Sequence, residues 1–264
     1  MRNPVLAAVP YGGPFEVPPI GELFNLPALL SVGGVDITRV YLIIFFAVAA
    51  VMVLFTLAFA NAKVVPGRLQ AAAEGLVEFV RDSIAIDIIG PQGRRYAPLL
   101  VSIFFFVWFN NLFEVLPFVN FPSTSRIALP MLLAIIVWLL FLFIGIRTQG
   151  PVKYFKDILI PPGVPKGMVP LIGLIEFIST VIVRPITLTI RLFANMVAGH
   201  ILLTIVFIAI HSFLVLGPGL PVGLVVLAIS PLAVGFELFV GALQAYIFVI
   251  LTAVYIDGSL NPAH

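Results

Sequence analysis

Residues 40–60 run for 21 positions without a charge. At 1.5 Å per helical residue, that is enough to cross a hydrocarbon core of about 30 Å. No water is present in such a core to serve backbone N–H and C=O groups, so a chain that enters it crosses as a helix or as part of a closed barrel. Two more apolar stretches of helical length follow, at residues 97–116 and 127–146. With 61% hydrophobic and 10% charged residues among 264, too little polar surface is left to cover a water-soluble core. An all-α integral membrane protein is expected, organised as a single membrane domain.

Residues 1–39 form an outer amino-terminal segment. Its opening, MRNPVLAAVPYGGPFEVPPI, puts Pro and Gly where a signal peptide needs an unbroken apolar centre, so a mature polar leader is expected. Between the first and second spans, residues 63–95 place Leu69, Ala72, Ala73, Leu76, Phe79 and Val80 at helical spacing with charges between them. That pattern predicts an amphipathic helix lying in the interface. Residues 97–146 read as a helical hairpin closed by PFVNFPSTSR, and residues 147–166 as a polar loop.

The last hundred residues are different in kind. Residues 167–216 contain Pro185 flanked by Val183, Ile186 and Leu188 rather than by turn-forming residues. One long helix, bent and steeply slanted, fits better than two short ones; at full length it would measure about 75 Å. Gly217, Pro218 and Gly219 end it, and residues 220–256 repeat the pattern with Pro231 inside. The total is about five membrane-crossing helices plus the amphipathic one, the last two long and strongly tilted. Of the fourteen Lys and Arg residues, five fall in 62–97 and four in 147–170. Positive loops stay inside, which places the amino terminus outside and the carboxyl terminus inside.

Charges within apolar helices are the functional signal, since each arginine at a span's centre costs ~2.5–3.5 kcal/mol on insertion scales. Glu176, Thr180, Arg184, Thr187 and Asn195 all fall within ~60° of Arg191 on a helical wheel, forming one polar stripe; His200 and His211 fall opposite. Arg184 can snorkel or reach Glu176 about two turns away. Arg191 has no acid at i±3 or i±4, so its partner must come from elsewhere. On the last helix Ser230, Glu237 and Gln244 are spaced by seven and share a face that also carries Gly241. Glu237 is apolar-flanked, where an ionised carboxylate needs a partner or water. His200 and Glu237 are therefore candidates for a proton path.

Other chemistry is poorly supported. The chain has no cysteine, which removes disulfides, thiolate metal sites and thiol nucleophiles. GxxxxGK[ST], GxGxxG and HExxH are absent, and the net charge of +2 with no basic tract gives no reason to expect nucleic acid. Trp108 and Trp138 read as packing or interface anchors. The residues alone leave open an ion pathway, a secondary transporter or other ion-conducting protein with an intramembrane arginine site, or a structural anchor. A transporter would carry its substrate as the purified chain alone.

RPITLTIRLFANMVAGH (184–200), ELFVGALQAYIFVILTAVYI (237–256) and NNLFEVLPFVNFPSTS (110–125) resemble subunit a of F-type ATP synthases, a likeness that covers most of the chain from about residue 35. The resemblance implies a proton-translocating stator, with its two long helices against a c ring, and partners in the peripheral-stalk b subunits, the remaining synthase subunits and membrane lipid. Catalytic nucleotide sites would lie in other subunits, and no cofactor is expected. Arg191 matches the family's essential arginine, the fixed charge between two half-channels. Asn195 and Gln244 match polar residues beside it. His200 and Glu237 match an outer-channel pair, and Glu114 an acid near that channel. Glu176 matches an inner-channel acid, although the interval of fifteen to Arg191 is one longer than in many members. Arg184, with Thr187 and Ser230, takes a secondary place. The inner loop and the missing presequence are more similar to bacterial members, which implies a multi-pass protein of the bacterial plasma membrane.

Overall fold

A computed structural model of the chain describes residues 13–17, 19, 30–32, 35–116, 126–160, 165, 167–215 and 217–261. The leader residues 1–12 and most of the expected turn PFVNFPSTSR lie outside the described residues. A short antiparallel hairpin, β1 (Leu30–Val32) and β2 (Val35–Ile37), pairs Leu30 with Ile37. The regular elements described after it are all helical.

Helix α1 (Arg39–Phe59) is the first span. The expected amphipathic segment becomes α2 (Arg68–Val80), a π-helical stretch Arg81–Ile86, a last α turn Asp87–Ile89 and a 3-10 turn Pro91–Arg95. It does not run as one helix because Gly90 turns the chain at φ 80, a conformation glycine adopts without a Cβ clash. Gly93 then packs on the Ala85 carbonyl with no room for a side chain. Within this segment the Arg81 guanidinium donates to Asp82 Oδ1 at 2.7 Å, which holds that carboxyl below the usual aspartate range.

Helices α3 (Ala97–Val115) and α4 (Ala128–Gln149) follow. The segment read as a polar loop contains a further helix, α5 (Pro151–Leu159). Gly150, at φ 84, ends α4, and Pro151 opens α5 at its first position, the usual glycine-stop and proline-start asymmetry. Nine residues are too few for a periodicity window to register.

The long apolar run is continuous from Val169 to Phe213. It comprises α6 (Val169–Ile178), a π-helical turn Ser179–Val183 and α7 (Arg184–Phe213). Pro185 has no N–H to give the Val181 carbonyl, and the chain accommodates it by the wider turn just before it instead of by a break. Helix α8 (Leu220–Leu260) keeps Pro231 inside. There Ser230 Oγ donates to the Leu227 carbonyl at 2.9 Å, the acceptor that Pro231 leaves unserved. The two runs of 45 and 41 residues span about 68 and 62 Å along their axes, roughly twice a perpendicular crossing. Among the described residues, four helical runs are long and apolar enough to cross a membrane, and α3 supplies a shorter apolar stretch, Ala97–Phe113.

The chain forms two compact units. The first contains residues 1–52, 106–126 and 193–244; there Val40 and Ile43 are buried against Ile44 and Phe113, and Phe15 stacks on Phe213 at 5.6 Å. The second contains residues 53–105, 127–192 and 245–264. Its contacts include three aromatic pairs: Phe55 meets Phe105 edge-on at 4.9 Å, Phe79 of α2 stacks on Tyr246 at 5.7 Å, and Phe141 meets Tyr255 at 5.6 Å. Such pairs contribute ~0.5–1.5 kcal/mol beyond their buried area.

Candidate functional site

In the first unit, buried polar groups gather on α3, α7 and α8. Glu237 is 2% exposed and His200 3%. The Glu237 carboxylate packs directly on the Cα of Gly199, where a β-carbon would collide with it. The last long helix thus delivers its one buried acid to the residue preceding His200. One turn further along α8, Asn111 of α3 donates from Nδ2 to the Gly241 carbonyl at 2.9 Å. Gly241 permits this approach because a Cβ there would stand 3.1 Å from Asn111 Cβ.

Glu237 Oε1, Asn111 Oδ1, Asn195 Nδ2 and Gln244 Nε2 are buried without a hydrogen-bond partner among the described residues. Buried polar atoms in native proteins are nearly always served by protein or water, so these four atoms call for partners beyond the described residues. Along α7, Thr204 and Ser212 are also buried; Thr204 shares the face of His200, whereas Ser212 lies ~120° round the helix from it. Asn111, Gly199, Thr204 and Ser212 were not singled out from the sequence. The signal for Thr204 was there, one turn after His200. Glu114 lies on α3, and its side chain lies outside the described residues.

In the second unit, Glu176 and Arg184 meet, with Nη2 to Oε1 at 3.4 Å. Eight residues apart, at pure α spacing, they would be ~80° out of line; the intervening π turn absorbs one residue, the step behaves as seven, and the angle falls to ~20°. The same absorption offsets the extra residue in the interval from Glu176 to Arg191. Arg184 is further held over the Tyr255 ring at 5.1 Å and the Phe141 ring at 5.8 Å, a cation–π seat that shields its charge. Pairing with Glu176, rather than snorkelling alone, is therefore what places it.

Arg191 is different. It is exposed, and among the described residues it makes no ion pair or hydrogen bond. Leu188 and Leu192 on either side are fully buried, while Ile186 and Ile190 are exposed with it, so the guanidinium points out of its unit. Thr187, one turn before, is exposed and donates to the Val183 and Arg184 carbonyls at 2.8 and 3.0 Å. Thr187 and Ser230 thus both serve their own helices. Among the described residues no group of three or more His, Asp or Glu could hold a metal ion.

The family model for the ATP synthase A chain matches residues 41–257. ATP synthase subunit a of Frankia alni is 41% identical over 263 residues, which is 97% of this chain and 89% of that one. The Rhodococcus erythropolis protein of the same name is 38% identical, covering 94% and 91%, and the Streptomyces lividans protein 40%, covering 91% and 81%.

Proposed function

The chain belongs to the ATP synthase subunit a family, and we propose that it forms two offset half-channels carrying protons to and from the carboxylates of a rotating c ring. It is a multi-pass protein of the bacterial plasma membrane and is not itself an enzyme; nucleotide catalysis lies in other subunits. Peripheral-stalk b subunits would hold it still while the ring turns.

The carrying observation is Arg191, an exposed guanidinium in an apolar helix with no ion pair or hydrogen bond among the described residues. Leaving a cation so placed is unfavourable unless another protein supplies the anion, and a ring of membrane-embedded carboxylates is such a partner. Because a guanidinium does not give up its proton, Arg191 would favour the ionised form of each passing carboxylate and prevent a direct proton leak between the channels. Glu237 and His200, with Asn195, Gln244 and Glu114, would line the outer path. The buried atoms with no hydrogen-bond partner among the described residues support a hydrated route there. Glu176 would serve the inner path, positioned by Arg184.

A cysteine replacing exposed Thr187, one turn from Arg191, tests the reading in the assembled complex. It should form a disulfide with a cysteine placed next to the ring carboxylate. A ring that never cross-links at Thr187→Cys, while exposed apolar positions elsewhere on α7 do cross-link, would contradict it.

A further inference from the structure

Helix α5, PVKYFKDIL, has three unlike edges. Tyr154 and Ile158 are buried and fix its position: the Tyr154 ring lies so close to Gly145 of α4 that a β-carbon there would collide, and the Leu159 carbonyl lies equally close to Gly173 of α6. Gly145 is four residues from the end of α4, and Gly173 four from the start of α6. The helix is therefore pinned within about 6 Å of the ends of two apolar helices, the depth at which hydrocarbon gives way to headgroups.

The second edge is apolar and bare. Val152 is 81% exposed, and Phe155, Leu159 and Ile160 are also exposed; with Pro151 and Lys156 they line a shallow cleft of about 450 Å³. In water this edge would be costly. Leu139 and Phe143 of α4 are exposed as well. The third edge, ~100° further round, carries Lys153 and Lys156, both exposed. Exposed Arg147 stands nearby in sequence, with its guanidinium 5.9 Å from the Phe143 ring. Buried, apolar and cationic edges in that order suit a helix lying in an interface.

We propose that α5 is an interfacial foot that binds anionic phospholipid, with acyl chain in the cleft beside Phe155 and Leu159 and headgroup phosphate at Lys153 and Lys156. Charge complementarity favours an anionic lipid over a zwitterionic one. Seated there, the lipid would brace the joint between α4 and α6.

The chain has no cysteine, so single cysteines at 153, 155 and 159 can be placed in the assembled synthase in nanodiscs, with thiols of other subunits blocked. With a water-soluble maleimide, Phe155→Cys and Leu159→Cys should react at least about tenfold more slowly than Lys153→Cys, since an apolar setting suppresses the reactive thiolate. A bimane at position 155 should be quenched by nitroxide-bearing lipid. Exchanging phosphatidylglycerol for phosphatidylcholine, or making K153Q/K156Q, should weaken that quenching, whereas K153R/K156R should preserve it. Fast labelling at 155 and 159 would mean water contact and overturn the proposal. Slow labelling without lipid quenching would mean a protein occupant and overturn it equally. Quenching indifferent to headgroup charge would overturn the anionic assignment.

Discussion

The carboxylate of Glu237 rests on the bare Cα of Gly199, two residues from different helices joined with no space for a methyl group. Glu237 is buried in an otherwise apolar stretch of α8, and burying a charge there is costly without compensation. The glycine lets the acid come right up to the α7 backbone, next to His200, rather than be displaced outward.

Gly199→Ala tests whether that approach matters. Overpacking of this kind costs about 1–3 kcal/mol or is relieved by moving the flexible group, and here the flexible group is the acid itself. Proton translocation in inverted membrane vesicles should fall sharply, while the amount of assembled complex falls less. Wild-type translocation by the alanine variant would show that the close contact is not needed.

Glu237→Gln keeps the shape of the side chain and removes its proton exchange. If Glu237 hands protons along the outer path, translocation should drop about a hundredfold, the scale of losing a positioned acid–base group, with assembly near normal. Parallel losses in translocation and abundance would instead indicate a structural hydrogen-bonding role.

The π turn makes an unusually discriminating prediction. Deleting exposed Ile182 from Ser179–Val183 should convert that turn to ordinary α-helix and leave Glu176, Arg184 and Arg191 in register. ATP synthesis should survive. Deleting exposed Ile190, which lies in regular helix, should turn Arg191 and everything beyond it by ~100° relative to α6 and abolish synthesis. Comparable damage from both deletions would mean that the turn does not absorb a residue.

Hydropathy made the spans legible, because a membrane crossing is set by length and apolarity alone, and the same contrast singled out Arg191, His200 and Glu237 as candidates, polar groups inside apolar helices. The continuity of residues 169–213 was also readable, since Pro185 has no turn-forming neighbours. What the sequence did not show depends on partners distant along the chain. Asn111 acts through the Gly241 carbonyl, 130 residues away, and nothing local to either residue announces it. Gly199 reads as helix-weakening until Glu237 is seen against it. The pairing of Arg184 with Glu176 was readable as one of two alternatives, but not the π turn that brings them into line. Helix α5 was hidden by its brevity, although Gly150 and Pro151 marked its start.

The central claim is that Arg191 is the fixed charge on which coupling depends. Its most direct test is ATP synthesis driven by an imposed proton gradient in vesicles carrying Arg191→Ala, with the assembled complex quantified in the same membranes. Synthesis should be lost while abundance stays close to wild type, because Arg191 makes no ion pair or hydrogen bond among the described residues. Gradient-driven synthesis persisting in the alanine variant would contradict the account.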